Sequence, residues 1–293
     1  MWPPGPEAAG GRKNQLVVGR PVAEKHRMRF DYLIDDLRTW WTARMHPERP
    51  PHPPRRLIDT VGGGDFEGLG QQFYQLIVDW GALKPSERIL DIGCGCGRVA
   101  VPLMGYFDSG GYAGFDVAPK LVQWCQRAIT PRNPRFAFAT LDVKNRYYNP
   151  HGKMAPNEAV FPYPAATFDL AIAVSVFTHL LPDAFDRYLA ESARVLKPGG
   201  RLFATFFLFN PATAEALAKK KSGLSFRHGH DFYSVEDEAR PELAVCYQEA
   251  HVLQRLAAVG LKVAGPIRYG SWRNNEQDAV SSRYQDILIV IKG

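Results

Sequence analysis

The sequence predicts an α/β protein in which a parallel sheet is covered on both faces by helices. Three observations carry that expectation. From Glu87 onward, short continuous apolar runs alternate with stretches of helical period, the pattern of strands buried on both sides. The run Ile89-Leu90-Asp91-Ile92 leads into a turn where Gly93, Gly95 and Gly97 alternate, and then into a helix start at Val99. A second apolar run, Gly111-Tyr112-Ala113-Gly114-Phe115-Asp116, ends on an acid about one helix later. That is the interval of a βαβ unit that sets a carboxylate at the ligand-binding edge of a sheet.

The elements follow in order. Met1 to Lys13 is rich in Pro, Gly and Ala and reads as disordered. Val22–Met45 reads as an amphipathic helix, with Phe30, Leu33, Ile34, Leu37, Trp40 and Trp41 at helical spacing. Such a face packs on the main domain, or serves as a lid or as a contact between copies in a homo-oligomer. His46–Arg56, rich in proline and arginine, reads as a linker without a regular element. Phe66–Trp80 reads as a helix with Phe73, Leu76, Ile77 and Trp80 on its apolar face. Strands are expected at Ile89–Ile92, Ala113–Asp116, Phe136–Ala139, Leu170–Val174 and Gly200–Phe207. Helices are expected at Val99–Tyr106, Pro119–Ile129 and Asp183–Val195. A helix near Tyr247–Val259 stops at Gly260, and Leu261–Val263 and Asp286–Ile291 read as two closing strands. Asn210–Ala244 is polar and intrudes before that last helix. The expected division is therefore 1–60 as tail, helix and linker, and 61–293 as the main domain, with a substrate-covering insertion at about 210–245.

Composition narrows the class. The 293 residues suit one α/β domain with appendages, and the 45% apolar fraction supplies a large core. No apolar run spans a bilayer, and no secretory stretch opens the chain. Cys94, Cys96, Cys125 and Cys246 have neither disulfide-scaffold nor zinc spacing, so a reducing cytoplasm is expected. The net charge of +6 fits an anionic partner or a solvated basic face. Much of the excess lies in the N-terminal segment and in Lys219-Lys220-Lys221, which favours the solvated face.

Asp91 two residues ahead of the alternating glycines departs from the usual dinucleotide turn, whose first glycine follows the strand directly. With Leu141-Asp142-Val143, the run Phe168–Ser175 and Leu196-Lys197-Pro198-Gly199-Gly200-Arg201-Leu202, the chain resembles the class I S-adenosylmethionine-dependent methyltransferases from roughly Leu83 to its end. Within that family it is most similar to bacterial small-molecule methyltransferases, including the ubiquinone-biosynthesis-like branch. The resemblance implies a Rossmann-like seven-stranded, mostly parallel sheet with its last strand antiparallel. It also implies S-adenosyl-L-methionine as cofactor and no metal.

Candidate site residues follow from the three handles of that cofactor. The turn at Gly93, Cys94, Gly95 and Gly97 can take the amino-acid end by backbone contact, helped by the N-terminus of the next helix. By resemblance, Asp91 faces the same end. Asp116 can accept two ribose hydroxyls, because a carboxylate has two acceptor oxygens and no donor. Val117 and Leu121 can wall the adenine, with Asp142 accepting its amine and Val143 beside it. Ser175 ends the fourth strand at the expected switch point. His179 is the candidate base, since an imidazole accepts a proton near neutrality. Tyr147, Tyr148, His228, His230, Tyr247 and Trp272 are further pocket candidates. His228-x-His230-Asp231 has metal-ligating side chains but no fourth ligand at a telling spacing. The family's nucleotide-base enzymes often carry Asn/Asp-Pro-Pro-aromatic after the fourth strand, where this chain has Val174-Ser175-Val176-Phe177. Nucleic acid is accordingly disfavoured as acceptor, and methyl transfer to an oxygen or nitrogen of a small molecule is expected. The alternatives are an RNA methyltransferase, favoured by the basic balance, and a non-catalytic module of the same fold that binds a partner through Val22–Met45.

Overall fold

A computed structural model of the chain describes residues 22–219, 222, 224–273 and 284–293; for residues 22–31 it describes the backbone only. The expectations for Met1 to Lys13, Phe30, Lys220 and Lys221 lie outside what is described. Two compact units are present, one running to Gly64 and one from Asp65 to Gly293.

The first unit holds α1 (Val22–Met45) and α2 (Arg55–Thr60). α2 begins inside the stretch expected to be irregular, because the prolines end at Pro54, which precedes its first turn. The polar side of α1 meets α2: Tyr32 donates to Asp59 at 2.9 Å, and Asp36 pairs with Arg56 at 3.1 Å. Among the described residues of this unit the apolar stripe finds no partner. Leu33, Leu37, Trp40 and Trp41 are 59–64% exposed, and Ile34 is 36% exposed.

The second unit runs α3 (Phe66–Asp79), β1 (Arg88–Ile92), α4 (Ala100–Leu103), β2 (Gly111–Asp116), α5 (Pro119–Ala128), β3 (Phe136–Thr140), β4 (Phe168–Ala173), α6 (Pro182–Val195) and β5 (Leu196–Phe206). It continues with β6 (Leu208–Phe209), α7 (Pro211–Ala218), β7 (His228–Gly229), β8 (Tyr233–Val235), β9 (Val245–Gln248), α8 (Glu249–Ala258), β10 (Leu261–Val263) and β11 (Asp286–Lys292). The main sheet has seven strands in the order β10-β11-β5-β4-β1-β2-β3. β1 to β5 pair in parallel, and the last strand, β11, runs antiparallel to both its neighbours.

Period-2 alternation sorts the strands' side chains onto two faces. Leu90, Ile92, Ala171, Ala173, Leu202, Ala204, Leu288 and Val290 face one core, completed by Phe185 and Leu189 of α6 and Val252 and Leu256 of α8. Ile89, Leu170, Ile172, Phe203, Ile287 and Ile289 face the other, completed by Phe73, Leu76 and Ile77 of α3, with α4 and α5. The helix expected over Val99–Tyr106 shrinks to four residues, with Pro102 inside it and Gly105 just beyond.

The insertion is not a plain polar loop. It contributes α7, β7 and β8, and with β6 and β9 forms a second, four-stranded sheet in the order β6-β9-β8-β7. Phe207, Phe226, Cys246 and Trp272 form a small buried cluster of their own. Trp272 and Tyr247, expected as pocket residues, are core: they are 0% and 1% exposed.

Candidate functional site

Parallel strands bring their carboxyl ends to one edge, and the chain order reverses between β1 and β4, where a ligand crevice forms in such sheets. The glycine turn after β1, Asp116 at the end of β2, Asp142 beyond β3 and Ser175 beyond β4 all emerge at that edge.

The turn is held from within. The amides of Gly93 and Cys94 donate to the Phe115 carbonyl at 2.8 and 3.0 Å, and that of Gly97 to the Cys94 carbonyl at 3.0 Å. The Gly95 amide donates to Asp116 Oδ2 at 2.8 Å. The protein already uses these four amides, so the backbone contact expected of the turn falls to its carbonyls. α4 is also too short to carry a useful macrodipole. What the turn keeps for a ligand is its carbonyls and a surface without side chains. Gly93 has φ +74°, and a Cβ there would lie 2.7 Å from Val176 Cγ2. Cys94 offers its side chain to the protein instead. It is 5% exposed and packs under Gly114, where an added Cβ would lie 2.9 Å from Cys94 Cβ. The neighbouring Cys125 thiol and burial push its pKa well above the usual thiol range, so it remains neutral.

Two carboxylates flank the turn. Asp116 accepts from the Gly95 and Ala118 amides, each at 2.8 Å, and so ties the glycine turn to the end of β2. Burial raises its pKa, and the backbone amides pull the other way. Asp91 is 3% exposed and accepts a hydrogen bond from the Tyr112 hydroxyl at Oδ2. Burial pushes its pKa up to about 7; the Tyr112 bond opposes this and the Asp116 charge adds to it. Neither acid has an ion-pair partner among the described residues. Two uncompensated, withdrawn carboxylates beside a side-chain-free turn fit a cationic ligand that carries hydroxyls, as S-adenosylmethionine does.

The expected adenine wall is only partly present. Val117 is half-buried at the core's edge. Leu121 and Val143 are 1% and 2% exposed, so protein encloses their side chains and they offer a ligand almost no surface. Asp142 is exposed, and its Oδ1 accepts from Asn149 Nδ2 at 3.2 Å. Tyr148 is 41% exposed and close enough to Asp116 for that charge, after burial, to raise its pKa.

Across the switch point, Ser175 adopts the left-handed region at φ +57°. Its amide donates to Thr205 Oγ1 at 2.7 Å and its hydroxyl to Gln285 Oε1 at 3.0 Å, partners that hold an otherwise costly backbone. His179 lies in a single 3₁₀ turn, Phe177–His179. Its Nδ1 sits 2.9 Å from the Glu242 carbonyl. A carbonyl can only accept, so Nδ1 carries the proton and Nε2 keeps a free lone pair. The ring retains an exposed edge, and its partial withdrawal from water lowers its pKa below the usual 6.5, against the pull of the Glu242 and Leu243 backbone.

The insertion thus reaches the site through Glu242, and again where Arg146 Nη1 donates to the Ala239 carbonyl at 2.9 Å. His228 pairs with Glu238 at 3.4 Å, and His230 stacks on Tyr233 with centroids 4.3 Å apart. No three His, Cys, Asp or Glu side chains converge in a metal-sized group among the described residues. Sequence reasoning missed Tyr112, Thr205, Glu242 and Gln285. Each acts through a long-range contact that no local pattern specifies, even where the residue itself lies in an expected strand, as Tyr112 and Thr205 do.

Residues 90–204 match the family described as a methyltransferase domain. The chain is 31% identical to the 27-O-demethylrifamycin SV methyltransferase of Amycolatopsis mediterranei, over 45% of this chain and 43% of that one. It is 30% identical to the aklanonic acid methyltransferase DauC of a Streptomyces species, over 50% of this chain and 62% of that one. It therefore spans about half the length of the curated relatives it matches. tRNA cytidine methyltransferases are also among its relatives, at 27% and 28% identity. The crystal structure of a SAM-dependent methyltransferase from Aquifex aeolicus shares the fold at a TM-score of 0.50 and 17% identity, covering 83% of this chain and 100% of that one. With the strand order, the acid-led glycine turn and the second acid on β2, these matches identify residues 90–204 as a methyltransferase domain on the class I S-adenosylmethionine-dependent fold.

Proposed function

We propose that the chain transfers a methyl group from S-adenosylmethionine to an oxygen or nitrogen of a small-molecule acceptor. The observation that carries this reading is the pair of withdrawn carboxylates, Asp91 and Asp116, which flank the Gly93–Gly97 turn and have no ion-pair partner among the described residues. The bound cofactor supplies an electrophilic methyl on a sulfonium. Asp91 receives the ammonium, Asp116 the ribose hydroxyls, and Asp142 the adenine amine, with Val117 and Tyr148 beside the base. Leu121 and Val143 support this wall from behind. His179 takes the proton from a hydroxyl acceptor through Nε2, while a neutral amine can attack without it. Ser175 shapes the wall between cofactor and acceptor.

The small-molecule reading draws support from the acceptors named for two relatives and from the absence of the base-methylating motif after β4. A saturating cofactor at about a hundred times its Kd should add roughly 2.7 kcal/mol of stability. Asp116→Ala should abolish most of that gain, since it removes the ribose acceptor and unties Gly95. A thermal shift equal in both proteins would remove the assignment. Supplying labelled methyl donor with metabolite fractions and with tRNA identifies the acceptor; label entering tRNA alone would overturn the small-molecule reading.

The exposed stripe Leu33, Leu37, Trp40 and Trp41 is the reading's contact with a second copy of the chain. Trp40→Glu with Leu37→Glu should then halve the mass measured by light scattering, and an unchanged mass would refute the contact. No described helix is long and apolar enough to cross a membrane. The four described cysteines are free and buried, as suits a chain working in the cytoplasm.

A further inference from the structure

We propose that Tyr112 is a positioning residue for cofactor binding, its hydroxyl holding the Asp91 carboxylate ready for the cofactor's ammonium group. The inference rests on the cofactor reading above and goes beyond it by naming how the first acid is prepared.

The geometry starts in the sheet. Tyr112 lies opposite Ile89 in the β1–β2 pairing, and Asp91 lies opposite Gly114. The residue facing Asp91 therefore has no side chain, and the Tyr112 ring reaches along the same face of the sheet to Asp91. The ring is fixed: it is 2% exposed, stacks on Phe136 with centroids 5.0 Å apart at 13°, and leans on Phe138 at 5.6 Å. Its hydroxyl donates to Asp91 Oδ2. Burial first, and then the Asp91 charge, push the phenol's pKa well above its usual value, so it acts as a donor throughout the working pH range.

The other carboxylate oxygen, Oδ1, accepts no bond from the described residues and is not among the sealed, unpartnered atoms. Tyr112 thus occupies one oxygen and leaves the second open. The titratable groups around Asp91 are Tyr112 and Asp116 from β2, Cys94 from the turn and, beyond Cys94, Cys125 from α5. The thiol of Cys94 is neutral and Asp116 repels, so the Tyr112 bond is the contact that favours ionised Asp91. An ammonium binds the carboxylate and not the acid, so cofactor binding must displace any proton there. Burial pushes the Asp91 pKa up to about 7, so near neutrality a proton competes with the ammonium for that carboxylate.

The test is the pH dependence of binding by Tyr112→Phe. S-adenosylhomocysteine serves as the probe, because it keeps the amino-acid end and is stable. Methylthioadenosine, which lacks that end, is the control. Wild-type affinity for S-adenosylhomocysteine should fall toward tenfold per pH unit below 7. Loss of the hydroxyl should raise the proton affinity of Asp91 by about tenfold. The variant should then bind about ninefold more weakly at pH 6 and less than about twofold more weakly at pH 8. Methylthioadenosine should bind both proteins alike at every pH. Asp91→Asn should bind the probe weakly with no dependence on pH in this range.

A Tyr112→Phe deficit that is the same at pH 6 and pH 8, or shared by methylthioadenosine, would mean a packing role and overturn the proposal. Equal binding by variant and wild type would overturn it as well. Wild-type protein that binds neither probe would instead remove the cofactor reading on which the proposal stands.

Discussion

Replacing His179 with Ala should lower kcat on a hydroxyl acceptor by about 10²- to 10⁴-fold, the usual contribution of a positioned general base. The argument is geometric before it is electrostatic. The Glu242 carbonyl, 2.9 Å from Nδ1, assigns the ring proton to that nitrogen and leaves Nε2 as the only proton acceptor. A base must be neutral to act. Partial withdrawal from water lowers the His179 pKa below 6.5, so the ring is neutral at pH 7 and is lost as a base only as pH falls through that lowered value. The acid limb of kcat should therefore lie below 6.5 and vanish in His179→Ala. Cofactor affinity should not change, since His179 lies across the switch point from Asp91 and Asp116. A variant that keeps wild-type kcat and its acid limb would show that His179 only braces the insertion at Glu242.

That same contact shows where reading the sequence stops. The glycine turn, Asp91 and Asp116 were legible because local constraints specify them: a sharp turn needs glycine, and a βα interval places the second acid. The two-faced sheet was legible because strands such as Ala171–Ala173 and Ile287–Ile289 are apolar at every position, which only burial on both faces demands. The partners of the loop amides were not legible, because glycine spacing says that a backbone bends and not where its N–H groups point. Phe115 and Asp116 receive them in the folded chain. The stripe on α1 finds no partner among the described residues of its own unit. Its spacing predicts a buried face, yet the ion pairs to α2 draw on the polar side, at Asp35 and Asp36. Glu242 and Tyr112 carried no signal, since each meets its partner across tens of residues of chain. The insertion's second sheet was hidden by strands of two to four residues, too short for a period to show.

Asp286 is the acid whose loss should cost the fold most. It begins β11 and is fully buried, and each of its oxygens is shared by two donors. Oδ1 accepts from the Gly270 amide at 2.8 Å and Arg273 Nη2 at 2.9 Å; Oδ2 accepts from the Leu208 amide at 2.8 Å and Trp272 Nε1 at 3.0 Å. Those donors come from β6 and from the segment just before β11, so one carboxylate fastens the second sheet to the main sheet. Burial raises its pKa against the opposing pull of Arg273 and the other donors. Asp286→Ala leaves the Arg273 guanidinium, 8% exposed, without its anion, together with the three other donors. Breaking a buried pair in this way should cost about 3–5 kcal/mol, read as a lowered urea midpoint. Asp286→Leu combined with Arg273→Leu should recover part of that loss, because removing both charges leaves neither uncompensated. Cofactor binding should survive in whatever fraction stays folded, since Asp91 and Asp116 lie on β1 and β2 and share no hydrogen bond with Asp286. If Asp286→Ala unfolds at the wild-type urea concentration, the carboxylate is not what joins the two sheets.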